Sequence, residues 1–417
     1  MTAPILACDE LTLDEADPVA DACAHIAAAA LTPSPVGRVG LELELHLVDL
    51  ADPGRRPDWT RVQELLATVP PCPHGSTVTV EPGGQVELST PPAPDLSTAV
   101  AWLQADREVL REATGALGLG AAPLGADPAR PVERSNPNPR YVAMEEHFAS
   151  RGCSLPGRSM MTATAALQVN LDAGPPALWS SRLAHLRALV PMLVAASSTS
   201  PWLGGRASGW HSMRQQCWDG IDHGRSDPIP VGEPTVAWAL YALNAPVMLL
   251  RQPDGTVPVT ERITLGDWLR DPARLGRAAD RADLDYHLTT LFPPVRPRGY
   301  LELRCLDALP DRWWPAVANL AVVLADDPVA ADAAAELCAP VAGAWATAAR
   351  DGLADPAMRR AVAGCTDLAA RRAPAALRAQ AEALAQLAAD GRSPADELRR
   401  RAETDGPTRL LEEEARA

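Results

Sequence analysis

Residues 39–48 read VGLELELHLV. From Leu41 onward, apolar and polar residues alternate strictly. A strand sends successive side chains to opposite faces. Leu41, Leu43, Leu45 and Leu47 therefore point one way, and Glu42, Glu44 and His46 the other. The two glutamates lie about 6.5–7 Å apart along that face, far enough to reach two different ions. Three further stretches repeat the period. In 84–89, Val86 and Leu88 oppose Gln85, Glu87 and Ser89. In 166–172, Leu167, Val169 and Leu171 oppose Gln168 and Asn170. In 300–306, Leu301, Leu303 and Cys305 oppose Glu302 and Arg304.

Each strand taken alone reads as the wet side of an antiparallel sheet. An ordinary wet face, however, sets opposite charges across from one another. These four faces offer Glu42, Glu44, Gln85, Glu87, Gln168, Asn170 and Glu302, with Arg304 the only arginine among them. Acids gathered in this way repel unless cations sit between them. Hard divalent cations take oxygen ligands, and Mg²⁺ combines a few carboxylates with phosphate oxygens. The combination suits phosphoryl transfer, in which metal ions neutralise phosphate charge and the reactants are held in line. Arg304 reads either as a clamp for a carboxylate or phosphoryl group, or as a cross-strand ion partner. His46 reads as structural, and Gly83-Gly84 as a tight turn.

Composition narrows the chemistry. The 417 residues carry 38 basic and 53 acidic side chains, a formal charge of −15. That argues against a nucleic-acid partner. No lysine occurs, so every basic residue is arginine. A P-loop and Schiff-base chemistry are excluded with it, and anion recognition falls to the arginine fork. HExxH, the GxSxG elbow and a Rossmann glycine fingerprint are all missing. The eight cysteines form no CxxC pair, which reads as a reduced, cytoplasmic protein. Asp9, Glu10, Asp14 and Glu15 near the start, with no early basic residue, argue against a signal peptide. Residues 19–31 are too short for a membrane span. Aromatic residues are few (11 Trp, 4 Tyr, 2 Phe), so alanine must supply much of the packing.

Along the chain, helices are expected over 17–31, 58–68, 95–116 and 177–200. A strand–turn–strand is expected over 76–89, a hairpin over 247–259 and a proline-rich loop over 123–140. From 313 onward the sequence is Ala/Leu/Arg-rich and helical, with breaks at Asp327-Pro328, Asp355-Pro356 and Ser393-Pro394. The expected architecture is α+β. One domain spans 1–417, with a sheet core over about 37–315 and a helical part over about 316–417.

The stretches VGLELELHLVD, TVEPGGQVELS, TATAALQVNLD and YLELRCLD, in that order, resemble the glutamate–cysteine ligase family of the plant and bacterial second type. SMRQQCWDGIDHGR (212–225) and WALYALNAPVM (238–248) resemble its actinobacterial branch, which feeds ergothioneine synthesis. The resemblance implies a glutamine-synthetase-like fold, an antiparallel sheet curled into a funnel. It implies ATP-dependent joining of the glutamate γ-carboxylate to the amine of cysteine through an acyl phosphate. By the same resemblance Glu42, Glu44, Glu87 and Glu302 hold Mg²⁺, and Gln85, Gln168 and Asn170 line the nucleotide–metal site. Arg304, Arg214 and Arg225 reach phosphate or substrate, and Glu302 and Arg304 are the catalytic pair. Glu81 falls in the matching motif on an unassigned side. The expected partners are the small molecules glutamate, cysteine and ATP, with no obligate protein partner, nucleic acid or membrane. A different amine acceptor, or a non-catalytic nucleotide-binding relative, is the alternative.

Overall fold

The computed structural model describes residues 17–253 and 255–417. Cys8, Asp9, Glu10, Asp14 and Glu15 lie outside them. The strands are β1 (Val39–Asp49), β2 (Thr77–Val80), β3 (Val86–Ser89), β4 (Leu119–Ala122), β5 (Ala166–Leu171), β6 (Trp202–Leu203), β7 (Arg206–Ala207), β8 (Leu249–Gln252), β9 (Gly255–Pro258), β10 (Val295–Pro297) and β11 (Leu301–Asp307). Seven of them form one sheet in the order β10-β11-β5-β1-β3-β2, with β4 also on β1. Every pairing in it is antiparallel.

The alternation read from the sequence decides which face is buried. Leu41, Leu43, Leu45, Val86, Leu88, Leu167, Val169, Leu301 and Leu303 all belong to one buried core. Burying each leucine stabilises the fold by roughly 1.5–3 kcal/mol. Helices Leu96–Ala116, Trp179–Ser197 and Trp314–Asp326 pack on these strands. The opposite face is left for the polar side chains. Register then sets who meets whom. Glu44 lies across from Glu87, Glu42 across from both Ser89 and Gln168, and Glu302 across from both Asn170 and Arg296.

Helix starts follow the Asp-Pro and Asp signals. Asp17, Asp58, Asp95, Asp327 and Asp355 each accept a backbone N–H in the first turn of the helix that follows, a cap worth about 1 kcal/mol. The helical C-terminal part returns to the sheet. Its last helix, Pro407–Arg416, contacts β1 and β4, so closely that a Cβ on Gly120 would lie 2.4 Å from the Ala415 carbonyl oxygen. No described helix is long and apolar enough to cross a membrane.

Several elements differ from expectation. β4 and β10 were not expected, because LGAA carries no alternation and VRP is three residues ending in proline. Helix Pro139–Ser150 begins at the last residues assigned to the loop, where Pro139 sits at its first position and the Asn138 side chain caps it. Residues 154–163 are helical before β5 begins. In β11 the pairing with β5 steps from Leu303↔Val169 to Leu306↔Leu167. One extra residue on β11 makes this a β-bulge. The simple alternation therefore stops at Arg304, and Cys305 and Leu306 are both buried.

Candidate active site

The polar face of the sheet forms the floor of a cavity of about 510 Å³. Two neighbouring strands, β1 and β3, bring Glu42, Glu44 and Glu87 together, each offering a carboxylate oxygen within 4.8 Å of the others. Cross-strand like charges at this range destabilise a sheet, so the cluster must be held by donors. Ser89 Oγ donates to both Glu42 and Glu87 at 3.1 Å, and Thr79 Oγ1 to Glu87 at 2.8 Å. The Ala166 backbone N–H donates to Glu44 at 2.8 Å. Gln168 Nε2 donates to Glu42 and, at 3.3 Å, to Glu44. Burial and the neighbouring Glu87 push Glu44 up to about 7, and burial with Glu87 and Glu44 raises Glu42 well above the usual carboxylate range. Such a set binds protons, or a hard cation in their place.

Glu81 belongs to the same wall. It opens the turn between β2 and β3, and the structure puts its side chain in the cavity. Burial, then Glu87 and Glu44, push it up to about 8. The turn itself is fixed by close packing. Gly84 N–H donates to the Glu81 carbonyl at 3.0 Å, and Gly84 has φ +83°. A Cβ on Gly83 would fall 2.1 Å from the Thr162 carbonyl oxygen. The reading of Gly83-Gly84 as a tight turn holds.

The same cavity also holds arginines. Arg140, Arg214, Arg296, Arg298 and Arg304 line the cavity. Arg304 Nη1 donates to Gln168 Oε1 at 2.6 Å and lies 3.3 Å from Glu302, so Gln168 links the carboxylates to the guanidinium. The Nε atoms of Arg214 and Arg304 are buried without a hydrogen-bond partner. Guanidinium groups among the residues that line a cavity fit an anionic ligand.

Glu302 does not join the carboxylate cluster, contrary to its expected place beside the other three. Arg296 Nε donates to its Oε2 at 2.5 Å and Arg296 Nη2 to its Oε1 at 3.1 Å, while Arg298 lies 3.6 Å away. Burial alone would raise its pKa, yet Arg304 and Arg296 hold it down to about 2. In this structure it orders guanidinium groups. Arg296 escaped the sequence reading because β10 is too short to show a period. Its spacing six residues before Glu302, across a Gly299 turn, was the available signal.

Of three other expected site residues, Arg225 and Asn170 sit outside the cavity lining and Gln85 within it. Arg225 is fully buried and its five N–H groups are all taken, by Asp222 twice, Thr290 twice and Pro246. It pins a loop and has no donor left for phosphate. Gln85 lines the cavity, but its amide donates to the Thr164 carbonyl at 2.8 Å and the Met161 carbonyl at 3.4 Å, joining the turn to the end of helix Ser154–Ala163. Asn170 stands beside Gly40 and across from Glu302, outside the cavity lining. His46 is structural as read: it is buried, with Nε2 3.0 Å from the Leu124 carbonyl, and burial pushes it down to about 3. Cys305 packs in the core, its thiol pushed up by burial to about 12. No redox or nucleophilic role is indicated for it.

The chain is similar to several known proteins. Glutamate–cysteine ligase EgtA of Mycolicibacterium smegmatis is 50% identical over 381 residues, covering 90% of each chain. The EgtA protein of Mycobacterium tuberculosis is 48% identical over 407 residues, 95% of this chain and 94% of its own. A crystal structure of glutamate–cysteine ligase from Francisella tularensis in complex with AMP shares the fold, with a TM-score of 0.52 at 12% identity over 92% of this chain and 88% of that one. Residues 38–414 match glutamate-cysteine ligase family 2 (GCS2), and the chain belongs to that family.

Proposed function

We propose that this cavity joins the γ-carboxylate of L-glutamate to the amine of L-cysteine at the expense of ATP. The products are γ-glutamylcysteine, ADP and phosphate, and the dipeptide serves ergothioneine biosynthesis. The observation that carries the reading is the mixed lining of one cavity: Glu42, Glu44, Glu81 and Glu87 share it with five arginines. The carboxylates suit cations, and the guanidinium groups suit phosphate and carboxylate. The names of the relatives at 48–50% identity point to the same reaction.

A γ-carboxylate oxygen attacks the γ-phosphorus of ATP, and ADP leaves. The amine nitrogen then attacks the acyl carbon, and phosphate leaves with the oxygen that linked it. Arg304 and Arg214, both in the cavity lining, stabilise the anion that changes hands. Gln168 holds Arg304 in place through its carbonyl while its amide restrains Glu42 and Glu44. Glu302 and Arg296 form the rigid backing, so that Arg304 loses little freedom on binding substrate. Five arginines offset, within the cavity, the repulsion that a chain of charge −15 exerts on ATP.

Glu42, Glu44 and Glu87 fit Mg²⁺, an ion that takes oxygen ligands. Bound there, it would neutralise phosphate charge. A pH dependence follows from the raised carboxyls. Glu44 and Glu81 titrate near 7 and 8 in the fold, against 4.5 when free. Their protonated forms stabilise the metal-free fold below pH 4.5, and that contribution is lost as pH rises through 7 to 8. A cation that replaces the protons is worth most where the protons have left. Thermal unfolding with EDTA and with Mg²⁺ should therefore show a larger Mg²⁺ stabilisation at pH 8 than at pH 6. An equal shift at both pH values would contradict the carboxylate site.

The function is tested by ADP release from the purified protein. ADP should form with ATP, glutamate and cysteine together, and γ-glutamylcysteine should appear with it in equal amount. ADP formed equally well with cysteine omitted, or replaced by other amino acids, would remove the cysteine assignment.

A further inference from the structure

Asp307 ends β11, three residues beyond Arg304, and is buried to 1% exposure. It does not line the cavity, yet it is heavily engaged. Its Oδ2 accepts from the Thr199 backbone N–H at 2.9 Å and from Ser200 Oγ at 2.7 Å, and its Oδ1 accepts from Ser212 Oγ at 2.8 Å. Both serines pass the contact on. Ser200 Oγ accepts the Arg214 backbone N–H at 3.1 Å, and Ser212 Oγ accepts the Gln215 N–H at 3.1 Å, capping helix Met213–Asp219. That helix carries Arg214, whose Nη2 reaches the Arg304 carbonyl at 2.8 Å and whose guanidinium lies 5.8 Å over the Trp218 ring. The chain has also cleared space for the carboxylate. A Cβ on Gly125 would fall 2.5 Å from the Asp307 carboxyl carbon. Burying a charged carboxyl for packing alone is costly, so its retention here calls for another purpose.

We infer that Asp307 is the positioning residue for Arg214: through Ser200 and Ser212 it fixes where the Arg214 guanidinium stands in the cavity, next to Arg304. The inference rests on the ligase reading for its effect on turnover, and on geometry alone for its effect on the helix. The carboxylate has two acceptor oxygens for three donors from two separate segments, 199–200 and 212. It therefore locks the strand end, the loop and the helix start into one arrangement. Its charge also acts on the buried Arg214 guanidinium, ahead of that of Glu44.

The test uses the full chain with Asp307→Asn, Arg214→Met and the double variant. Asparagine keeps the size but offers one acceptor oxygen and no charge. A misplacement of about 1 Å in a charge-stabilising group costs on the order of 100-fold, so Asp307→Asn should lower kcat by up to that factor, with KM moving less. Arg214→Met should also lower kcat. Adding Asp307→Asn to Arg214→Met should cost little more, because both act through one guanidinium. Effects that multiply in full, or wild-type turnover in Asp307→Asn, would overturn the inference.

Hydrogen exchange supplies a readout that needs no turnover. In Asp307→Asn the peptide 212–219 should exchange faster while the core helix 314–326 stays protected. A uniform rise across the protein would make Asp307 merely structural and would overturn it too. If Asp307→Asn does not fold, Ser200→Ala and Ser212→Ala remove the links one at a time. Each should slow turnover in the same sense, and wild-type kcat in both would sink the idea. Product formation by the unsubstituted chain decides the ligase reading separately.

Discussion

Glu42→Gln should lower kcat about a thousandfold while leaving the metal-free protein at least as stable as before. Glu42 carries the most crowded charge on the sheet, with Glu44, Glu87 and Glu302 all raising its pKa after burial has done so. Glutamine keeps the shape and removes the repulsion; its one carbonyl oxygen still accepts from Gln168, and its amide can donate to the Ser89 hydroxyl. The loss falls on charge stabilisation in the transition state. Taking that as roughly 4 kcal/mol, at a factor of ten per ~1.4 kcal/mol, gives the thousandfold. The stabilisation by Mg²⁺ should shrink in parallel. Steady-state kinetics and thermal unfolding, each with and without Mg²⁺, check both signs. A near-wild-type kcat would remove Glu42 from the cation site. A large fall in stability without metal would show that the carboxylate is structural.

The second large effect is expected at Arg304. Arg304→Met should cost about 100- to 1,000-fold in kcat, the range seen when one donor to developing charge is removed. The fold should survive, because Glu302 keeps Arg296 as a bidentate partner and Gln168 keeps its bonds to the two glutamates. Arg304→Lys should recover only part of the loss. A lysine restores charge but not the planar fork that serves Gln168, Glu302 and a ligand together. Turnover within a few-fold of wild type in Arg304→Met would mean that the guanidinium is only an ion partner for Glu302.

The period-2 strands were legible because apolar residues, mostly leucine, alternate with polar ones in VGLELELHLV and its three companions. The face assignment of Glu42, Glu44, Glu87, Gln168 and Arg304 follows from that period, and the cavity gathers all five. What lies across from a strand residue is set by register, which alternation does not encode. Arg296 opposite Glu302 was missed for that reason, and with it the ion pairs that withdraw Glu302 from the carboxylate cluster. The bulge at 304–305 was equally hidden, since one extra residue leaves no mark on composition. Loop residues were the least legible. Arg225 and Arg214 share one motif, yet one turns into a closed network and the other into the cavity. Glu81 could be placed only once the packing of Gly83 against Thr162 was known.

The acyl-phosphate route is tested most directly by following one oxygen. Glutamate labelled with ¹⁸O in its γ-carboxylate is turned over with ATP, Mg²⁺ and cysteine, and the released phosphate is analysed by mass. If the γ-carboxylate attacks the γ-phosphorus, one labelled oxygen must appear in each phosphate and the other must remain in the amide of γ-glutamylcysteine. Phosphate free of label, released alongside labelled dipeptide, would contradict activation of glutamate by phosphoryl transfer in this cavity.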